Sequence, residues 1–268
     1  MSPLSFDLHA AGVLAPGLSC LDDLRAACRS GQLHEAVQPA AAPSPDVLPA
    51  NERRRASQVV RLTLACIEQA LTSSPFEADS LRCVFATDEG TGEICQQMLH
   101  ALDTTRQMSP SLFSNSVLNA PSGYFSIGYR NRQSATVISV GLESFAAGLV
   151  FAATEAWSAG QPVLLVSYDP RMTPPMDELL PITVSTASAW VISAGMEQQL
   201  PKLASFSIDV VEAGNTRPTA LPSWIPTAWS GQGSSCAFAA LGLLEEQETA
   251  ELRLRWNELM LHVRRKSD

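Results

Sequence analysis

Apolar and polar positions along the chain predict buried strands that alternate with amphipathic helices. The first third predicts a strand (Ser5–Val13), a helix (Leu21–Ser30) and, after a proline- and alanine-rich loop at 37–51, a long helix (Glu52–Thr72) with Asn51 as its cap. The two helices carry apolar residues at the spacing of one buried face. These elements alone leave the fold class open.

The middle of the chain carries the stronger pattern. A strand (Leu81–Thr87) precedes a helix (Glu93–Leu102), and a continuous apolar run (Ala135–Val140) precedes a helix of small residues (Ser144–Ser158) and a further apolar run (Pro162–Ser167). Continuous apolar runs are typical of strands that are buried on both faces. Strand, helix and strand at this spacing predict a βαβ unit and therefore an α/β fold with a mostly parallel central sheet.

The last hundred residues predict less regular structure. Ala187–Ser193 and Ser205–Val211 predict two strands, as a β-hairpin or an edge pair, and 214–234 is a loop rich in proline, glycine and serine. The charged segment Glu245–Arg265 predicts a terminal helix. We treat residues 1–268 as one domain.

Composition restricts the function classes. The 268 residues are 46% hydrophobic, enough for one large α/β domain or at most two small ones. The net charge of −9 and the sequence pI near 5.0 make nucleic acid an unsuitable partner. The N-terminus has no basic segment ahead of an apolar stretch, and no apolar run reaches the ~18 residues of a membrane span. We therefore expect a soluble protein of the cytoplasm.

The cysteines do not indicate a metal site or a disulfide framework. Six are scattered without any CxxC pair, in apolar or helical contexts, which is typical of free structural thiols. Their positions are Cys20, Cys28, Cys66, Cys83, Cys95 and Cys236.

Three segments, in order, resemble the β-ketoacyl synthase branch of the thiolase superfamily. Phe85–Glu93 matches a strand followed by a glycine-containing turn, and Thr136–Asp169 matches the strand, nucleophile turn, helix and strand of the family. In the most specific segment, Ser109–Ile127, a proline, a short helix, an asparagine and a glycine precede an apolar strand start. The matching positions there are Pro110, Asn119, Gly123 and Ile127. With the opening segment around Gly12–Gly17, the resemblance covers residues 5–210.

The resemblance implies a thiolase-like αβα half-fold with a replaced nucleophile. Counting back from Gly160 by the length of the ketosynthase helix places Glu143 where those enzymes carry cysteine. A carboxylate is stable at a helix N-terminus, but it cannot form the thioester that condensation requires. The family's second half carries two histidines that act on malonyl thioester, whereas none of His9, His34, His100 and His262 has a matching context.

We therefore expect a non-catalytic subunit, similar to a chain-length factor, that pairs with a complete ketosynthase as a heterodimer. The resemblance implies an acyl-carrier protein as a partner of the complex, no cofactor and no metal, and a place in aryl polyene or xanthomonadin-type pigment pathways. Phe113, Val117 and Leu118 are expected at the partner's acyl tunnel. The strand Ala135–Val140 and the helix near Phe113 would meet the partner.

Several residues allow simpler interpretations. Glu143 is either an ordinary helix-cap residue or one that plugs the empty site or accepts bonds from backbone donors, and Phe113, Val117 and Leu118 suit core packing equally well. The rival functions are a stand-alone acyltransferase or hydrolase that uses Ser139 or Cys236, and a module that binds acyl chains or carrier protein.

Two motifs are expected to be structural. Ser234-Ser235-Cys236 resembles a nucleophile motif only superficially, because it follows a Gly/Ser loop instead of a buried strand. Asp88-Glu89-Gly90-Thr91-Gly92 resembles a phosphate loop but lacks lysine and is acidic.

Overall fold

One mixed sheet of eight strands organises the protein. The structure is a computed structural model and describes residues 3–33, 45–195, 200–246 and 250–267. The strands are β1 (Leu4–Leu14), β2 (Arg82–Ala86), β3 (Ala135–Ile138), β4 (Val163–Asp169), β5 (Thr186–Ser193), β6 (Ala204–Glu212), β7 (Glu251–Trp256) and β8 (Leu259–Arg265). Their order in the sheet is β3-β2-β4-β5-β1-β6-β8-β7.

The strand directions confirm the predicted α/β class. β2 pairs in parallel with β3 and β4, and β5 lies antiparallel between β4 and β1. Four of the five strands β3-β2-β4-β5-β1 therefore run in one direction. β6, β8 and β7 extend the sheet by antiparallel pairing. The expected pairing of β5 with β6 is wrong, because β1 lies between them.

Helices cover both faces of the sheet. They are α1 (Leu21–Ser30), α2 (Ala50–Arg55), α3 (Gln58–Thr72), α4 (Gly92–Thr104), α5 (Pro110–Asn115), α6 (Ala120–Tyr129), α7 (Ser144–Ala159) and α8 (Ser235–Gly242). Val84 and Leu165 belong to the core on the α7 side, whereas Phe85, Leu164 and Val166 belong to the core on the α3 side. Successive strand residues thus supply two hydrophobic layers.

No helix of the described ranges is long and apolar enough to cross a bilayer.

The predicted helix Glu245–Arg265 is wrong, since β7 and β8 form a hairpin there. Leu252 and Leu254 are buried while the intervening Arg253 is half-buried, which is the period-two alternation of a strand. Asn257 takes a φ of 55° in the turn, a conformation that asparagine tolerates better than most residues. The segment is rich in glutamate, leucine and arginine, which favour helices by intrinsic propensity, and this composition produced the wrong prediction.

Three other expectations need correction. The helix Glu52–Thr72 is interrupted at Ala56, where α2 ends, and Asn51 lies inside α2 while the Ser57 side chain caps α3. The strand expected to start near Ile127 is the helix α6, with proline in its first turn, where a missing N–H costs nothing. The run Ala135–Val140 is not buried on both faces, because β3 is a four-residue edge strand.

The close approach of α7 to the sheet gives a stability prediction. A Cβ added at Gly148 would lie 2.8 Å from the Cβ of Ala86, so Gly148→Ala should cost about 1–3 kcal/mol of unfolding free energy through overpacking. A Cβ added at Gly123, on α6, would meet no neighbouring atom within 4 Å, so Gly123→Ala should instead stabilise by up to about 1 kcal/mol. Denaturant unfolding of both variants measures the difference. Equal effects would contradict the packing argument.

Candidate functional site

The N-terminus of α7 forms the centre of the candidate site. The chain leaves β3 and turns at Gly141, whose φ is 63°. The Ser144 hydroxyl accepts a bond from Val140 N–H (2.8 Å) and donates one to Gly141 O (2.7 Å), which holds this turn. Glu143 occupies the cap position of α7, although its side chain caps no helix N–H.

The Glu143 carboxylate binds the C-terminal hairpin. Its Oε2 accepts a hydrogen bond of 2.5 Å from the backbone N–H of Asn257, in the turn between β7 and β8. The sequence left open whether Glu143 caps the helix, plugs the site or accepts a bond from a backbone donor. This hydrogen bond has the geometry of the last of these. The bond links the start of α7 to a segment more than a hundred residues away.

A cavity of about 360 Å³ opens beside Glu143. Its walls are largely apolar, and Gly233, Cys236 and two arginines of β7 complete them. Leu142, Ala146, Leu221 and Gln232 also line it. The cavity therefore lies between α7, the segment before α8, and β7.

The two alternative nucleophiles are poorly placed for catalysis. Burial, followed by the nearby carboxylates of Asp88 and Asp169, raises the pKa of the Cys236 thiol to about 12, so the thiol stays protonated at neutral pH. The Ser139 hydroxyl donates to the carbonyl oxygen of Asp88 (2.9 Å) rather than to a base. Neither arrangement activates a nucleophile.

The histidines of the described ranges are engaged or remote from the cavity. His9 bonds to Pro201 O and Ser193 Oγ, His262 contacts Glu251, and His100 is exposed on α4. None of them lines the cavity beside Glu143. His34 lies outside the described residues. The same ranges hold no group of three or more His, Cys, Asp or Glu side chains arranged to bind a metal.

The structure also contains a pair of buried aspartates that the sequence pattern did not predict. Asp169 is the last residue of β4, and Asp88 lies two residues after the end of the neighbouring parallel strand β2. Asp169 accepts bonds from the Thr87 hydroxyl, the Asp88 N–H and the Ser234 N–H, and Asp88 accepts one from the Gly233 N–H. An aspartate shortly after each of two apolar runs was the available signal, but only strand register brings the two together.

The acidic turn before α4 caps its own helix. The Glu89 carboxylate accepts hydrogen bonds from the N–H groups of Thr91 and Gly92. The first N–H of α4, that of Gly92, is therefore occupied by a side chain of the protein. This geometry agrees with a structural turn in which a carboxylate accepts the bonds that a phosphate would need.

The expected tunnel residues lie on and after α5. Phe113 is 62% exposed and Val117 is also exposed, so neither packs in the core of this chain. Leu118 is half-buried and approaches the turn at Gly90. The core-packing interpretation thus holds at most for Leu118.

Several exposed apolar side chains lie on elements that precede or follow β3 along the chain. We name Phe113, Val117, Ile127, Val140, Leu142 and Phe151 the β3-edge surface. Phe113 lies on α5 and Val117 follows it, and Ile127 lies on α6. Val140 and Leu142 follow β3, and Phe151 lies on α7. Large exposed apolar patches and unpaired strand edges both favour association.

The chain belongs to the β-ketoacyl synthase family. The family model described as "Beta-ketoacyl synthase, N-terminal domain" matches residues 28–225. No curated protein sequence matches the chain.

Solved structures share the fold. A chain of "Ketosynthase (ApeO) in Complex with its Chain Length Factor (ApeC)" from Xenorhabdus doucetiae is 20% identical, with a TM-score of 0.70, over 97% of this chain and 99% of that one. A chain of "The ishigamide ketosynthase/chain length factor" is 13% identical, with a TM-score of 0.72, over 98% and 100%. The ketosynthase from module 6 of the bacillaene synthase of Bacillus subtilis 168 is 11% identical, with a TM-score of 0.58, and is covered over only 42% of its length by 79% of this chain. At these identities the likeness establishes a thiolase-like ketosynthase fold.

Proposed function

We propose that this protein is a non-catalytic, chain-length-factor-like subunit that pairs with a complete ketosynthase in the cytoplasm. The observation that carries the proposal is Glu143 at the start of α7, within a β-ketoacyl synthase fold. The similarity to chains of complexes between ketosynthases and chain length factors supports the same role. The partner would supply the nucleophile and the histidines.

A glutamate at position 143 cannot form the acyl thioester of a ketosynthase reaction. A ketosynthase needs a thiolate that takes the acyl group from a carrier as a thioester. The Glu143 carboxylate is instead bonded to the Asn257 N–H, and the nearby Cys236 thiol is protonated. These features count against a stand-alone acyltransferase or hydrolase.

The β3-edge surface is the proposed site of pairing. The outer edge of β3 has no neighbouring strand in the described sheet, and the helices before and after it in the chain, α6 and α7, carry the exposed apolar side chains Ile127 and Phe151. Burying such a surface against a partner removes apolar area from water and satisfies the strand's free backbone groups. Obligate subunit contacts of this kind usually bury ~2,000 Å² or more.

Phe113, Val117 and Leu118 would then border the partner's acyl tunnel. The exposure of Phe113 and Val117 in the isolated chain leaves them free to contact a neighbour. In this role they would limit the length of an acyl or polyene chain that grows on a carrier protein, as in aryl polyene or xanthomonadin-type pigment synthesis.

The first prediction concerns activity. The isolated protein and its Glu143→Cys variant should both yield no ketoacyl product from acyl- and malonyl-carrier protein, because no described histidine lines the cavity to assist decarboxylation. Mass spectrometry of the protein and of the products measures this. A ketoacyl product from the wild-type chain alone would refute the proposal.

The second prediction concerns pairing. Val140→Glu should weaken the complex with a candidate ketosynthase by at least about tenfold in Kd, because it places a charge in an apolar contact. Val210→Glu is the matched control, since Val210 is 44% exposed, close to the 51% of Val140, but lies on β6 at a distance in the sheet. Analytical ultracentrifugation measures both, and the wild-type chain alone should self-associate or be poorly soluble. Equal losses for the two variants, or a soluble wild-type monomer that binds no ketosynthase, would contradict the assignment.

The third prediction concerns product length. Phe113→Ala should cost less than about 1 kcal/mol of folding free energy, because the ring is largely exposed. In the reconstituted complex it should shift products toward longer chains with only a modest loss of turnover. Ser114→Ala, a change on the same helix, serves as the control. An unchanged product distribution with the complex intact would assign Phe113 to packing alone.

A further inference from the structure

Two buried aspartates hold the segment before α8 against the ends of the strands. The Gly233 N–H donates to Asp88 Oδ2 at 2.7 Å, and the Ser234 N–H donates to Asp169 Oδ2 at 3.0 Å. Asp169 Oδ1 also accepts from the Asp88 N–H at 2.8 Å and from the Thr87 hydroxyl at 3.1 Å. One carboxylate pair thus joins β2, β4 and the segment 232–234.

No cation balances this pair. Within the described ranges, neither carboxylate forms an ion pair with lysine, arginine or histidine, and no cation is among the causes that shift either pKa. The titratable groups that face the pair are the Cys236 thiol on α8 and the Tyr168 hydroxyl on β4, with Glu89 acting on Tyr168 from the turn before α4. All of them are neutral or acidic near neutrality, so none can compensate a second negative charge.

The charges of the pair oppose each other. Burial, and then the charge of Asp169, raises the pKa of Asp88 to about 7 in spite of the Gly233 hydrogen bond. Burial also raises the pKa of Asp169, against the bonds that it accepts from Ser234, Asp88 and Thr87. Two adjacent buried carboxyl groups cannot easily both ionise, so the pair retains one proton up to about neutral pH.

The segment that the pair holds is tightly seated and forms a wall of the cavity. A Cβ on Gly233 would lie 2.5 Å from Asp88 Oδ1 and 2.7 Å from Leu142 O, so Gly233 lies close between Asp88 and the turn before α7. Gln232, Gly233 and Cys236 line the cavity next to Glu143. Displacement of this segment would therefore change access to that cavity.

We propose that Asp88 and Asp169 form a proton-controlled latch: with one proton the pair holds the segment 232–234 closed, and with both carboxylates ionised it loosens the segment and opens the cavity beside Glu143. Asp88 titrates at higher pH in the closed form than in the open form. Protonation of Asp88 therefore stabilises the closed form fully at a pH below the usual aspartate pKa. This stabilisation is lost as the pH rises through about 7. The latch does not depend on pairing with a ketosynthase.

Hydrogen exchange measured by mass spectrometry on the full chain tests the latch. After correction for intrinsic exchange rates, peptides that cover 230–242 should lose about tenfold in protection between about pH 5.5 and about pH 8.5, whereas peptides of the central strand β5 should not change. In Asp88→Asn, which is neutral at every pH, the protection of 230–242 should stay constant. Asp103→Asn, an exposed change on α4, should behave as the wild type.

Two results would overturn the proposal. One is a protection of 230–242 in the wild type that does not vary with pH, and the other is the same variation in Asp88→Asn. Should Asp88→Asn fail to fold, carboxyl-carbon NMR of the wild type decides the question. A titration step near pH 7 from a buried aspartate supports the latch, and titration of every aspartate below about pH 5 rules it out.

Discussion

The close packing of α7 against the parallel strands is the constraint on which the rest of the structure depends. Small residues along α7, such as Ala152 and Gly148, let the helix backbone approach β2 and β4. The helix is buried along most of its length, and its start is therefore held at one place above the strand ends. Glu143, the cavity and the turn after β3 all take their positions from this contact.

Three carboxylates attach parts of the C-terminal chain to this core through backbone N–H groups. Glu143 accepts from the Asn257 N–H, Asp88 from the Gly233 N–H, and Asp169 from the Ser234 N–H. An acidic protein with net charge −9 thus uses part of its charge to define tertiary contacts.

The two ends of the sheet are built differently, and the difference agrees with the proposed role. At the β7 end, the Thr219 N–H donates to the Arg253 carbonyl oxygen, and the Thr219 hydroxyl accepts from the Arg253 N–H. Charged side chains also alternate along this strand. Such features prevent the addition of another strand. At the β3 end the edge has no neighbouring strand in the described sheet, and the nearby Val140 and Leu142 are exposed. One edge is protected and the other is available to a partner.

By itself, the sequence determined the α/β class, the βαβ unit around α7 and the place of Glu143 at the start of that helix, because apolar runs and helix ends are local properties. It did not determine the hairpin of β7 and β8, because glutamate, leucine and arginine there also favour a helix by intrinsic propensity. Exposure of β3 and the pairing of Asp88 with Asp169 depend on which strands are neighbours, and that order comes only from long-range packing. Tertiary structure alone decided these features, because the groups that meet are distant along the chain.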